Sequence, residues 1–114
     1  MKLRDVVEGL ELHVCSGKGK LEAEVLGGYA SDLLSDVMAH ARKGDLWITL
    51  QIHQNTIAVA TLKELAGIIL INGKEPPLET AHKADDEGIP ILSTPLTAYE
   101  IICRLHDLGI SGKR

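Results

Sequence analysis

One stretch of the sequence, residues 45–73, constrains the fold more than any other. It contains an apolar run over 46–50, a polar turn over 51–55, helix-forming residues over 57–66 and a second apolar run over 68–71. Two parallel strands joined by a crossover helix take about thirty residues, which is the length of this stretch. We therefore predict a βαβ unit here, within a parallel sheet that binds ligands at the carboxyl ends of its strands.

The residues before this unit predict two helices and two strands. Gly9 is expected to end the first helix in the left-handed conformation, and Gly44 to stop the second. Ser31 is expected to cap the second helix, and Gly27 and Gly28 to form the turn after the second strand. The predicted elements are a helix over 3–7, strands over 10–15 and 22–26, and a helix over 32–43.

The residues after the unit predict a helix, a short strand and a final helix. Prolines open both helices, because proline fits the first turn of a helix but cannot continue one. Thr94 is expected to cap the final helix, and Leu78 and Ala81 to face inward from the helix before it. The expected limits are Pro76-Pro77 and Gly88 for the first of these helices, 89–92 for the strand, and Pro95 and Gly109 for the final helix.

Helices and strands thus alternate along the sequence with short connections between them. This alternation predicts a single α/β domain over residues 1–114, with a three-layer α/β/α arrangement, a mostly parallel sheet and right-handed crossovers. The core must be aliphatic, because aromatic residues make up 3% of the chain and phenylalanine is absent. The pattern does not predict where the first helix and the first strand lie.

Charge and hydropathy argue against two classes of partner. The net charge is −4 and no basic stripe is present, which disfavours nucleic acid. No apolar run reaches the roughly 18 residues of a membrane span. Cys15 and Cys103 do not form a Cys-x-x-Cys pair, so we expect free thiols in a reducing, cytoplasmic environment.

Small and polar residues follow the predicted strands. If the strands are parallel, these residues gather at the edge of the sheet where the strands end, here called the carboxyl edge. Two helices are expected to begin there, which favours an anionic or hydroxyl-rich ligand. In the other interpretation, Ser31, Asn55 and Thr94 only cap helices. The predicted ligand-binding residues are Gly27, Gly28, Ser31, Gln51, His53, Asn55, Asn72, Gly73, Ser93 and Thr94.

His53 is the titratable residue of the central turn. It could act as a general base, as a metal ligand, or as a loop side chain bonded to a neighbouring backbone group. His40 and His82 are the nearest histidines and fall on different predicted helices, so we predict no metal site around His53. No nucleophile or partner carboxylate accompanies it, and we predict no catalytic residue.

The most distinctive segment of the sequence is the Gly-Ile-Pro-Ile-Leu-Ser-Thr run of residues 88–94. It occurs together with segments 27–29, 31–34, 48–49, 67–70 and 72–73 and with Glu100. Together these segments resemble the DRTGG domain family, over about residues 5–110.

The resemblance implies a regulatory or assembly domain with a three-layer α/β/α fold. The family is found at the amino terminus of HPr kinase/phosphorylase, in some long phosphotransacetylases and beside CBS domains, where other domains carry the chemistry. The Asp-Arg-Thr-Gly-Gly corner of the family is replaced here by Gln51-Ile52-His53-Gln54-Asn55. The resemblance transfers no catalytic residue, because the family motif defines none.

These observations predict a non-enzymatic regulatory or ligand-sensing domain that needs no cofactor. We expect it to act through a partner protein or as a homodimer, and to bind a nucleotide or another anionic metabolite at the carboxyl edge. One alternative is an assembly domain without a small-molecule ligand. The other is a small enzyme that uses His53 as its base.

Overall fold

The structure is a computed structural model and describes residues 1–112. Within them a sheet of strand order β1-β5-β4-β3-β2 is flanked by helices. The elements are α1 Leu3–Leu10, β1 His13–Ser16, a 3₁₀ turn Lys18–Lys20, β2 Gly27–Ala30, α2 Leu34–His40, β3 Asp45–Thr49, α3 Asn55–Lys63, β4 Gly67–Leu70, α4 Leu78–Glu87, β5 Ile91–Ser93 and α5 Ala98–Asp107.

Strands β2 to β5 are parallel and neighbour one another in chain order. Each crossover leads to the neighbouring strand on the same side. Because crossovers between parallel strands are right-handed, α2, α3 and α4 lie on one face of the sheet. Strand β1 lies antiparallel at the outer side of β5, with His13 opposite Ser93. The predicted parallel sheet is confirmed, and the first strand now has its position.

The two faces of the sheet bury separate aliphatic clusters. Side chains alternate along β3, so that Leu46 and Ile48 join one cluster and Trp47 joins the other. The first cluster includes Leu3 and Val6 of α1 and Ile101 and Leu105 of α5. The second includes Val37 of α2, Ile57 and Ala60 of α3, and Ala84 of α4. The predicted three-layer α/β/α fold is confirmed.

The first helix ends later than predicted. Gly9 lies inside α1, and Glu11 is the left-handed C-cap, with φ of 53°. The amide of Leu12 donates to the carbonyl of Val7 over 3.0 Å, which closes the helix end. Leu10 therefore belongs to the helix, and the predicted strand over 10–15 begins only at His13.

The second strand was predicted one segment too early. Residues Gly27–Ala30 form β2, whereas 22–26 do not form a sheet strand. That segment bonds to the amino terminus instead, because Val25 donates to the carbonyl of Met1 and Ala23 accepts from Leu3. Pairing with β3 overrides the weak strand propensity of the two glycines.

Two predicted helix caps were also wrong. Ser31 does not cap α2; its hydroxyl accepts from the amide of Leu33, and the helix spans only Leu34–His40. Thr97 caps α5 by accepting from the amide of Glu100, so Thr94 and Pro95 lie in the preceding loop. In both cases the chain must first turn away from the sheet before a helix can begin.

The face of α4 differs from the prediction as well. Leu78 is 74% exposed, while Thr80 is buried and donates its hydroxyl to the carbonyl of Ile52. The predicted end at Gly88 is confirmed, with φ of 70°. Over residues 1–112, no helix combines the length and the apolar character required to cross a membrane.

Ser16 connects β1 with β5 through two side-chain hydrogen bonds, next to a bulge in β1. Its buried hydroxyl donates to the carbonyl of Ile89 over 2.9 Å and accepts from the amide of Ile91 over 3.0 Å. Ser16→Ala leaves both backbone groups buried and unpaired, and should lower the free energy of unfolding by about 1–3 kcal/mol. Urea denaturation measures this, with Ser35→Ala on the exposed surface of α2 as the control. An equal effect of the two substitutions would contradict the assignment.

Candidate functional site: the carboxyl edge of the sheet

The carboxyl edge is formed by the ends of four parallel strands and the start of β1. Because β1 is antiparallel, its first residue, His13, lies beside Ser93 at the end of β5. After β4 the chain enters α4 on one face, and after β5 it enters α5 on the other. The connections after these two neighbouring strands thus run to opposite faces of the sheet. In α/β sheets, ligands usually bind in the crevice that forms at such a point.

Backbone hydrogen bonds close the middle of this crevice. The amide of Asn72 donates to the carbonyl of Leu96, and the amide of Gly73 donates to the carbonyl of Thr94, both over 2.9 Å. The Thr94 hydroxyl accepts from the Leu96 amide. Open space at the carboxyl edge therefore lies to either side of these loops.

The first opening is the α5 cleft, with a volume of about 210 Å³. One oxygen of Asp32 accepts from the hydroxyl of Thr49 and from the amide of Leu50, each over 2.8 Å. These two hydrogen bonds connect the loop after β2 with the end of β3. The cleft is lined by Ala30, Ser31, Asp32, Ile48, Thr49, Ile71 and Ala98.

The second opening is the β1 cleft, an open groove of about 370 Å³. Here Cys15 donates its thiol to Glu75 over 3.2 Å, and the Ser93 hydroxyl donates to the other oxygen of the same carboxylate over 3.2 Å. Burial, followed by the hydrogen bond to Glu75, raises the pKa of Cys15 to about 11. The groove is lined by His13, Val14, Cys15, Lys18, Glu75, Pro76, Leu78 and Ala81.

The central turn does not face either cleft. The side-chain amide of Gln51 donates to the carbonyl of Asp32 over 2.9 Å, so Gln51 supports the α5 cleft from outside. Nδ1 of His53 accepts from the amide of Asn55 over 3.0 Å, which places this ring at the start of α3. His53 and Asn55 are exposed there. Neither residue lines one of the two clefts, whereas the Ser93 hydroxyl bonds to Glu75 in the β1 cleft.

The glycine pair lies within β2 and forms no turn. Gly27 pairs with Asp45, the first residue of β3, and therefore lies at the opposite end of the sheet from the carboxyl edge. Gly28 lines an apolar cavity of about 140 Å³ between β2 and α5. A Cβ added to Gly28 would lie 3.7 Å from the carbonyl oxygen of Leu46, which is ordinary contact.

Of the predicted ligand-binding residues, those that the structure places at the carboxyl edge are Ser31, Gln51, Asn72, Gly73, Ser93 and Thr94. Four residues that shape the clefts were not predicted, namely Asp32, His13, Cys15 and Glu75. Asp32 was assigned to the second helix, because the strand before it was predicted to end at residue 26. The other three meet only through the pairing of β1 with β5.

The comparisons with known proteins identify a fold. The chain is similar to the crystal structure of the CBS and DRTGG domains of the regulatory region of Clostridium perfringens pyrophosphatase, complexed with the activator diadenosine tetraphosphate. The TM-score is 0.74 at 14% sequence identity, over 97% of this chain and 48% of that chain.

This chain thus spans about half the length of the chain it matches. No family model and no curated protein matches the sequence. At this identity the likeness concerns the backbone arrangement, which agrees with the three layers described above. The chain has a DRTGG-like α/β/α fold.

Proposed function

We propose that this chain is a non-enzymatic regulatory domain of the cytoplasm that senses a nucleotide or another anionic metabolite at its carboxyl edge. The observation that carries the proposal is the fold shared with a regulatory region that was crystallised with a nucleotide activator. Residues 1–114 would act as one sensing domain, and a partner protein or a second copy of the chain would receive the signal.

The α5 cleft is the proposed ligand site. Ser31 and Asp32 offer a hydroxyl and a carboxylate that suit the ribose hydroxyl groups of a nucleotide. Ala98 opens the ten-residue helix α5 at the wall of the cleft, where the helix dipole favours a phosphate group. A non-enzymatic role fits the position of His53, whose Nδ1 bonds locally to the start of α3.

A thermal-shift titration with diadenosine tetraphosphate, ATP and ADP tests this proposal. Ligand that binds only the folded state stabilises it by about 2.7 kcal/mol at a concentration 100 times Kd, so the melting temperature should rise with concentration. Ala98→Leu places a larger side chain in the α5 cleft and should abolish the shift. Ala81→Leu makes the same change in the β1 cleft and should leave the shift unchanged.

The other outcomes separate the alternatives. A shift that is lost only in Ala81→Leu would move the ligand to the β1 cleft. No shift with any nucleotide, together with an oligomer of fixed size in light scattering, would favour an assembly domain instead. Ligand-dependent change in that size would indicate that the domain signals through its own assembly. Turnover that disappears in His53→Ala would contradict the non-enzymatic assignment.

A further inference from the structure

We propose that His13, Cys15 and Glu75 form a binding site for a divalent transition-metal ion, Zn²⁺ by ligand type. One candidate ligand atom from each of the three side chains lies within 4.8 Å of the other two. The set combines a sulfur, an imidazole nitrogen and a carboxylate oxygen, which are the three donor types that zinc uses in proteins. This inference does not depend on the proposed nucleotide site.

The distance between the Cys15 and Glu75 ligand atoms is close to that in a tetrahedral zinc complex, and the other two ligand–ligand distances do not exceed 4.8 Å. Zinc bonds of about 2.0–2.3 Å place neighbouring ligand atoms about 3.6 Å apart. The Cys15 sulfur and the Glu75 oxygen are 3.2 Å apart. Since His13 and Glu75 are exposed, small rotations of their side chains can bring all three donors to bonding distance.

A backbone irregularity that is common near functional sites, a β-bulge, lies at one of the ligands. In the pairing of β1 with β5, Val14 lies opposite Leu92 and Ser16 lies opposite Ile91, so Cys15 is the extra residue of a bulge. Val14 and Cys15 still pack against opposite faces of the sheet, so the regular alternation of the strand puts His13 and Cys15 on the same face.

Glu75 lies in the loop after β4, and its side chain extends to Cys15. Prolines 76 and 77 follow it and restrict its backbone to extended conformations. The hydroxyl of Ser93 donates to the carboxylate oxygen that does not contact Cys15. This is the arrangement by which an outer residue orients a metal-binding carboxylate.

Three protein ligands leave one position of a tetrahedral zinc ion open. That position would face the β1 cleft, whose lining includes the exposed side chain of Lys18. A closed structural zinc site would need a fourth protein ligand. We therefore infer a site that keeps a water molecule or accepts an external anion.

Cobalt titration of the full chain tests the proposal directly. Co²⁺ bound to a thiolate in a tetrahedral site gives a thiolate-to-metal charge-transfer band and intense visible bands. We expect both at one equivalent of Co²⁺, and their loss when Zn²⁺ displaces the cobalt. Cys103→Ser, which changes the exposed cysteine of α5, should leave the spectrum unchanged.

Variants of the proposed ligands separate this site from adventitious binding. Cys15→Ser should remove the charge-transfer band, and His13→Gln and Glu75→Gln should each weaken the affinity. Ser93→Ala removes only the orienting hydrogen bond and should weaken affinity by about 10–100-fold. Far-UV circular dichroism confirms that each variant is folded. Absence of the band in the wild-type chain, or its persistence in Cys15→Ser, would overturn the proposal.

Discussion

Trp47→Ala is expected to lower the free energy of unfolding by about 3–5 kcal/mol, as for other buried aromatic residues replaced by alanine. Trp47 is the single tryptophan of the chain and is completely buried between the sheet and α2 to α4. Its indole nitrogen also donates to the carbonyl of Ser31 over 2.8 Å. The substitution thus creates a cavity and leaves a backbone carbonyl at the carboxyl edge without its donor.

Urea denaturation followed by far-UV circular dichroism measures this loss without relying on tryptophan fluorescence. Tyr99→Ala is the control, because this aromatic side chain on α5 is 83% exposed. Its effect should stay within about 0.5 kcal/mol. A similar loss in both variants would show that Trp47 does not have the packed position described here.

Gly17→Ala is expected to lower the free energy of unfolding by about 2–5 kcal/mol, because strain and overlap add. Gly17 has φ of 69°, which disfavours any residue with a Cβ. An added Cβ would also lie 2.6 Å from the Cα and the nitrogen of Pro90, which are backbone atoms that cannot rotate away. The loop after β1 would have to move away from the segment that precedes β5.

Gly73→Ala isolates the conformational part of this effect. Gly73 has nearly the same φ, 72°, but nothing lies within 4 Å of an added Cβ. Its loss should be only the left-handed penalty of about 1–2 kcal/mol. Denaturant midpoints of the two variants give the difference. An equal loss of unfolding free energy in the two variants would mean that a Cβ at position 17 does not overlap with Pro90.

The position of the site could be predicted in part from the sequence. Aliphatic runs that alternate with helices predict a parallel sheet, and the carboxyl ends of its strands must share an edge. Asn72 and Ser93 follow such runs and do lie there. His53 also follows a strand, but its ring bonds to the start of α3, which periodicity cannot indicate.

Errors in the predicted elements arose where long-range pairing prevails over local preference. Gly27 and Gly28 are poor strand formers, yet they form β2 because β3 offers them a partner. Two residues of the proposed metal site, His13 and Cys15, lie on β1, and the third, Glu75, lies in the loop after β4. No spacing rule connects Glu75 with the other two, since only the antiparallel pairing of β1 with β5 brings them together.

The sequence by itself determined the layers of this protein: local periodicity of apolar residues sets which segments become helices and which become buried strands. Only the tertiary structure decided where β1 pairs, which polar side chains turn toward the carboxyl edge and which clefts stay open. The physical reason is that burial patterns are properties of a short segment, whereas pairing and cleft shape depend on contacts between distant segments. Cys15 illustrates the difference, because its neighbours along the chain do not indicate that it lies beside Glu75.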